Sequence, residues 1–475
     1  MPITVLGGTT SAAAAFEVAN SCRFNQGDGA YMHKTIGSAG NLDRWTFSCW
    51  VKRGNLADTE IIFAVGAGNA GGGSYGVIKF SSSDTIEWEN YPSDTASGIL
   101  RTNRKFRDCS AWYHFVFVWD SGNATAGDRM RMYTNGVEET SFSNDSHPDQ
   151  NQDNVINNAH KHEIGAMDDN THFDGYLAEV VFIDGTAYAA SDFGEYDEDS
   201  PTIWKPKDVS GLTFGTNGFY LDFEDSANLG NDANGGTDFT EDTIAATDQS
   251  TDTPTNSFCT MNPLDEPYGT VTMTEGNLKV VQSSDYPYNR ATMGVAKGKW
   301  YFEGLGVATS GDSVIGIASV AASSSTNALY IPANNYGYYS HASNHGAYSN
   351  NALVVSTNYD AYTDDDIISV AFDLDNNKLY FAKNGTWANS GDPTSGSTGT
   401  GAVSITAVAS TVDGFYFPAA ADYGGSPRTT WSMNFGSPAH TVSSGNADAN
   451  GYGNFEYAVP SGYYALCTKN LAEFG

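Results

Sequence analysis

From Asp364 to Trp387 the chain reads DDDIISVAFDLDNNKLYFAKNGTW. On an extended backbone Ile368, Val370, Phe372 and Leu374 fall on one side, and Ile367, Ser369, Ala371 and Asp373 on the other. An apolar period of two predicts a half-buried strand. The polar run Asp375-Asn376-Asn377-Lys378 predicts a tight turn, because Asn accepts positive φ. Leu379-Tyr380-Phe381 then returns as the partner strand, and Asn384-Gly385 opens another turn. Residues 129–137 (RMRMYTNGV) repeat this grammar, with Asn135-Gly136 as a strong hairpin signal. Alternation predicts further strands at 45–51, 112–119, 175–183, 218–223, 277–281, 299–303, 314–318, 415–419 and 431–435, and in the tail at 455–460 and 463–468. Gly numbers 51 and aromatics are 13%, with few runs of helix formers, so the expected fold class is all-β.

The same pattern divides the 475 residues. Residues 1–20 read as an N-terminal arm, in which 11–16 could form one helical turn. Over residues 21–206 the signals are strands, and 207–262 read as an Asp/Asn/Thr-rich polar connector with one strand. Strands resume over 263–438, and 439–475 form a C-terminal tail suited to docking on a sheet edge or a neighbouring chain. Residues 392–401 (DPTSGSTGTG) read as a flexible loop.

Five motifs in one order, WTFSCWVKRG at 45–54, WYHFVFVWD at 112–120, RMYTNGV at 131–137, HEIGA at 162–166 and FDGYLAEVVFIDGTA at 173–187, resemble the laminin-G-like, concanavalin-like jelly-roll domain. GKWYFEGLG at 298–306, VIGIAS at 314–319, YGYYS at 336–340, DIISVAFDLDNNKLYFAKNG at 366–385 and FYFPAAADY at 415–423 resemble a SPRY domain. These resemblances imply two tandem antiparallel β-sandwiches, the second usually a protein-interaction module. LDFEDSANLGNDANGG at 221–236 also resembles an opening strand and turn of a laminin-G-like domain, an alternative in which it completes the first sandwich. The whole order, with its VPSGYYALCTKNL ending, is similar to structural proteins of marine bacteriophages. That resemblance implies a virion location, other virion proteins as partners, and a homo-oligomer, a trimer if the chain is a fibre.

A net charge of −33, from 56 acidic and 23 basic residues, argues against nucleic acid as a partner. No run approaches the roughly 18 apolar residues of a membrane span, so no membrane insertion is expected. Residues 1–16 lack the basic and apolar segments of a signal peptide. Five scattered cysteines (22, 49, 109, 259 and 467) form no CxxC, and most of them read as small buried residues.

Gly66-Ala-Gly68-Asn-Ala-Gly71 matches GxGxxG, but a strand-like segment follows where dinucleotide binding needs a helix; it reads as a hairpin loop. His160, His162 and His172 could bind zinc, against the plainer reading of surface imidazoles. Asp168, Asp169 and Asp174 flank a loop between predicted strands, and Asp120 and Asp128 flank another. Calcium takes several hard oxygens, and concanavalin-like sandwiches often hold it at a rim, so calcium is the expected metal if one binds. The competing reading is that Asp is a good turn residue.

For recognition, residues 330–350 (YIPANNYGYYSHASNHGAYSN) crowd rings and amides. Tyr336, Tyr338 and Tyr348 share one parity, and Tyr339, His341 and His345 the other, with Asn344 at the break. These seven residues are the candidate ligand site for host glycan or receptor, and Trp88, Tyr91 and Trp112 are a weaker group. No nucleophile elbow, phosphate loop or metalloprotease motif occurs, so the expectation is a non-enzymatic attachment or recognition protein. The alternatives are a glycan-degrading enzyme with carbohydrate-binding modules, since Asp and Glu abound, and an extracellular cell-adhesion protein.

Overall fold

Phe115, Phe117 and Trp119 point inward from the strand Tyr113–Asp120, while Val116 and Val118 point outward. The strand is apolar on both faces, so something must cover each. A computed structural model, which describes residues 16–66, 73–265, 271–282, 288–309, 311–322, 328–341, 343–424 and 428–475, gives the answer. Inward, Tyr113–Asp120 sits between Arg44–Arg53 and Met130–Thr134 in an eight-stranded sheet. A second eight-stranded sheet faces it, running from Phe142–Ser146 through Gly98–Lys105, Thr85–Tyr91, Tyr75–Phe80, Glu60–Gly66, Lys161–Ile164 and Tyr31–Thr35 to Thr240–Asp242. Trp45, Phe47, Phe63, Trp88, Phe117, Trp119 and Phe182 from both sheets share one core. Outward, Val116, Val118, Val181 and Ile183 are covered by Ala190, Phe193, Val209 and Phe214.

The polar segment 207–262 belongs to this sandwich through Ser250, and its last residues, Phe258, Cys259 and Met261, pack in the second sandwich. Phe219–Leu221 pairs with Gly175–Asp184, Thr240–Asp242 with Tyr31–Thr35, and Gln249–Ser250 with Ser21–Phe24. Phe219, Leu221, Phe223, Leu229 and Phe239 enter the first core. Five widely spaced apolar residues are enough, because the turns between them close on Asx contacts such as Tyr220 and Asn234 N–H donating to Asp232 Oδ1.

The second sandwich has a nine-stranded sheet centred on Lys299–Ala308 and Ile367–Asp373, and a six-stranded sheet in the order Tyr288–Arg290, Phe417–Asp422, Ser313–Ala318, Tyr336–Tyr339, Gly346–Ser349, Ala352–Val355. The hairpin Ile367–Asp373 and Lys378–Lys383 forms in the register its pattern predicts, Phe372 opposite Leu379. Asn377, Asn384 and Gly385 all take positive φ in its turns. Asn135 and Gly136 do the same in the first sandwich.

Four expectations are corrected. Ile367–Asp373 is buried on both faces, not half-buried: Ala371 packs with Tyr301, Tyr380, Phe455, Tyr463, Ala465 and Cys467. The tail is therefore a cover for the sheet. Residues 455–460 form no strand, and of 463–468 only Tyr464–Ala465 does, pairing parallel with Trp300 and Tyr301. A helix, Thr468–Phe474, follows where the pattern gave none; Tyr464 stacks on Phe474 at 3.8 Å between ring centroids. Residues 392–401 are ordered by 3-10 turns over Pro393–Thr398, with Asp392 accepting from Thr394 N–H and buried Pro393 accepting at its carbonyl from Tyr463 Oη.

The two sandwiches share a buried polar junction. Lys52 Nζ lies 2.6 Å from Asp252 Oδ2 and donates to Ser257 Oγ and the Phe258 carbonyl. Trp112 Nε1 donates to Asp252 Oδ1 at 2.9 Å. Beside it, the turn at 275–278 of the second sandwich docks on the first. Tyr176 Oη donates to the Gly276 carbonyl, Asn277 Nδ2 to the Gly54 carbonyl, and Arg23 Nε to Glu275. Gly276 has φ +59, and a Cβ there would lie 2.4 Å from the Tyr176 ring, so this contact requires glycine. Of the arm, residues 1–15 and the helical turn read at 11–16 lie outside the described residues save Phe16. Val18 packs with Trp50, Trp112 and Tyr176 at the junction.

Candidate functional site

The tyrosine-rich stretch folds as two paired strands, Tyr336–Tyr339 and Gly346–Ser349. Strand alternation splits its rings. Tyr336 and Tyr338 turn into the second core beside Ala347, Tyr359, Tyr362 and Phe381. Their hydroxyls are used there, Tyr338 on the Asp360 carbonyl and Tyr336 with Thr406. These two are core residues, a correction to their place in the candidate site. Tyr339 turns outward. Tyr348 sits opposite Gly337 in the register, hence on the face of Tyr339 and not of Tyr336. The turn at 341–345 reverses the parity that the sequence implies, and Ala342, inside that turn, lies outside the described residues.

The outward face gathers a cluster. Tyr330 lies 5.1 Å from Tyr348, 5.5 Å from Tyr339 and 5.9 Å from Tyr423 between ring centroids. His341 stacks on Tyr339 at 5.9 Å. Tyr339 donates to Asp312 Oδ1, and burial with that carboxylate raises its phenol pKa, so it stays a neutral donor. Tyr330 and Tyr339 are buried, while His341, Tyr348 and Tyr423 are half-exposed and Asn344 is exposed. The turn is internally bonded: His345 Nδ1 lies 3.1 Å from the His341 carbonyl, and Tyr348 Oη donates to the Asn344 carbonyl at 2.9 Å. The result is a small patch of half-exposed rings, His341, Tyr348 and Tyr423, backed by buried Tyr330 and Tyr339 and with an amide at its edge, suited to stacking and hydrogen bonding at low entropic cost. Tyr423 and Asp312 escaped the sequence reading because only pairing of Ser313–Ala318 with Phe417–Asp422 brings them to Tyr339.

In the first sandwich the proposed groups separate. Asp168 and Asp169 take positive φ in a turn whose amides donate to Glu163. Asp169 is bonded to Lys161 and to Tyr31 Oη. Asp174 is buried elsewhere, over Gly54, accepting from Gln26 N–H at 3.4 Å. Among the described residues no three His, Cys, Asp or Glu gather as a metal-holding group. His162 is buried, with Nε2 accepting from Asn157 N–H and Nδ1 facing the His160 carbonyl; burial drops its pKa to about 3. Both ring nitrogens are occupied, which leaves no ligand atom for zinc. Trp88 is core, Trp112 serves the junction and Tyr91 stacks on Tyr75 at 4.6 Å. Gly66 pairs with Tyr75 across a hairpin whose loop, residues 67–72, lies outside the described residues, and a strand follows the GxGxxG match. All five cysteines are free and buried.

Three buried glutamates have structural partners. Glu179, at a bulge with φ +50, accepts from Tyr220 Oη at 2.7 Å, and burial pushes its pKa up to about 8. Glu303 accepts from Tyr301 Oη and from the amides of Glu456 and Tyr457, fastening the tail; burial raises it too. Glu60 holds Arg53 at 2.8 Å with both side chains fully buried.

Residues 26–190 match the family described as the concanavalin A-like lectin/glucanases superfamily, of laminin G type. No curated protein matches the chain. Among solved structures, mouse laminin alpha1 domains LG4-5 are 9% identical, with 88% of each chain covered and a TM-score of 0.31. The SPRY domain of human HERC1 is 15% identical over 33% of this chain and 87% of its own, at 0.25. A heptameric SAP-like pentraxin from Limulus polyphemus is 15% identical over 37% of this chain and 80% of its own, at 0.27. Scores this low add nothing to what the sheets themselves define. The chain is an all-β protein of tandem sandwiches that carries a laminin G-like, lectin-fold domain.

Proposed function

We propose that the chain is a non-enzymatic attachment or recognition protein of a phage particle, a tail fibre or adhesin or a capsid decoration, that binds glycan or protein surfaces. The observation that carries the recognition part is the preset cluster in which buried Tyr330 and Tyr339 back the half-exposed rings of His341, Tyr348 and Tyr423, with Asn344 at the edge. Rings already held by one another and by Asp312 lose little freedom on binding. The lectin-fold family of residues 26–190 supports a glycan as partner. The order of modules and the VPSGYYALCTKNL ending support the virion setting, on the particle surface with other virion proteins. Glu179 and Glu303 are held by Tyr220 and the tail and Glu60 Oε2 by Arg53, contacts that support a structural role for these three.

The test uses the half-exposed residues. His341→Ala, Tyr348→Ala and Tyr423→Ala together should cut binding to host cells at least about tenfold while the melting temperature holds, since truncated aromatic anchors cost about 1–2 kcal/mol or more. Undiminished binding by the folded triple variant refutes the patch as receptor site. Mass spectrometry of purified phage particles tests the setting: absence of the chain from them overturns the virion reading.

A further inference from the structure

We propose a second recognition site, a pocket in the first sandwich that takes one ring of a neutral saccharide between Lys34 and Asp232. It rests on the reading of the chain as a recognition protein and gives that reading a ligand class. The pocket, about 160 Å³, is lined by Lys34, Thr35, Thr216, Asn217, Asp232 and Thr237. Thr216, Asn217, Asp232 and Thr237 fall outside the matched family stretch 26–190 and come from the polar segment folded over the sheet, while Lys34 and Thr35 come from within that stretch.

Its floor holds an acceptor that is ion-paired but not hydrogen-bonded. The Asp232 side chain is fully buried, with Oδ1 taking the N–H groups of Tyr220 at 3.0 Å and Asn234 at 3.1 Å. Oδ2 accepts no hydrogen bond among the described residues. The space before it is kept open by Gly236, where a Cβ would lie 2.3 Å from Oδ2. A buried carboxylate oxygen without a donor is costly, and here a bound donor would satisfy it. Lys34 Nζ stands 3.6 Å from Oδ2, anchored by the Thr237 carbonyl at 3.1 Å and by the rings of Phe239 and Phe219 at 4.7 and 4.9 Å.

The charges select the ligand class. One ammonium and one carboxylate cancel, so an anion entering the pocket meets Asp232 and a cation meets Lys34. A hydroxyl suits both, donating to Oδ2 and accepting from Nζ, and adjacent hydroxyls of a sugar ring can divide those tasks. The threonines around the mouth offer further donors and acceptors, whereas Asn217 Nδ2 is already given to the Ser38 carbonyl and Asn157 Oδ1 and serves to fix the wall; the volume fits a ring rather than a chain.

Isothermal titration of the full chain with glucose, galactose, mannose and N-acetylglucosamine tests this, with inorganic phosphate and calcium chloride as competing ions. At least one sugar should bind saturably, undisturbed by either ion. Asp232→Asn and Thr216→Arg should each weaken that binding at least about tenfold; Thr216 is exposed, so its replacement blocks the mouth without touching the core. If Asp232→Asn fails to fold, Thr216→Arg alone decides. Silence from all four sugars, displacement by phosphate or calcium, or binding that survives Thr216→Arg overturns the site. Host-cell binding by the tyrosine patch is read with separate variants, so either site can fail alone.

Discussion

Asp174 is a carboxyl group whose burial outweighs its contacts. Desolvation pushes its pKa up to about 7, against a single long hydrogen bond from Gln26 N–H and the field of Arg23. In the unfolded chain it titrates near about 4. Between those values the folded state holds the proton, so its contribution to stability is complete below about pH 4 and is lost as pH rises through about 7. His162, pushed down to about 3, runs the other way: its neutral ring contributes above about pH 6.5 and that contribution is lost as pH falls. Asp174→Asn should therefore gain stability relative to the parent as pH goes from 5 to 8, by on the order of 2–4 kcal/mol in denaturant unfolding. Parallel stability–pH curves for parent and variant would sink the assignment. The sequence put Asp174 in a loop with Asp168 and Asp169; burial, a property of the fold, gave it a different role.

For elements, the informative case is the strand Ile367–Asp373. Its period of two was legible, and so were its turns, because Asn377, Asn384 and Gly385 carry their positive φ locally. Its second buried face was not, since Ser369, Ala371 and Asp373 look like solvent positions until Phe455, Tyr463 and Cys467 arrive from some ninety residues later. Covering that face takes two large rings, each contributing about 1.5–3 kcal/mol by burial. Deleting 439–475 should expose Tyr301, Ala371 and Tyr380, strip Glu303 of its two backbone donors, lower the melting temperature of the second sandwich and raise binding of a hydrophobic dye. A truncated chain that melts with the parent and binds no more dye would show that the tail is an appendage.

At the scale of the molecule, the junction makes one body of two sandwiches. Lys52 and Asp252 are each almost wholly buried, and the carboxylate is shared with Trp112. Removing one member of such a pair leaves the other charge stranded, at a cost of about 3–5 kcal/mol. Lys52→Met should thus destabilise the chain by that amount and loosen the modules, visible as new proteolytic cleavage around 250–262. The double variant Lys52→Met with Asp252→Asn should recover part of the loss. If the single variant resists protease and unfolds like the parent, the junction carries no such energy. A rigid pair would present the tyrosine patch and the Lys34–Asp232 pocket at fixed separation.

The sequence by itself determined what is local: strand periodicity, turns set by Asn and Gly backbone preference, the absence of a CxxC framework, and motif order. It also placed the ring-and-amide stretch at 330–350, where part of the outward patch lies. Tertiary structure alone decided which rings face out, because alternation carries no sign across the turn at 341–345 and only the Tyr348–Gly337 register assigns the face. It decided that the polar segment 207–262 and the tail are load-sharing parts of the sheets, since a few spaced apolar side chains suffice when distant strands supply the rest of the core. It also set Asp232 against Lys34, two residues about two hundred positions apart that no periodicity or motif connects.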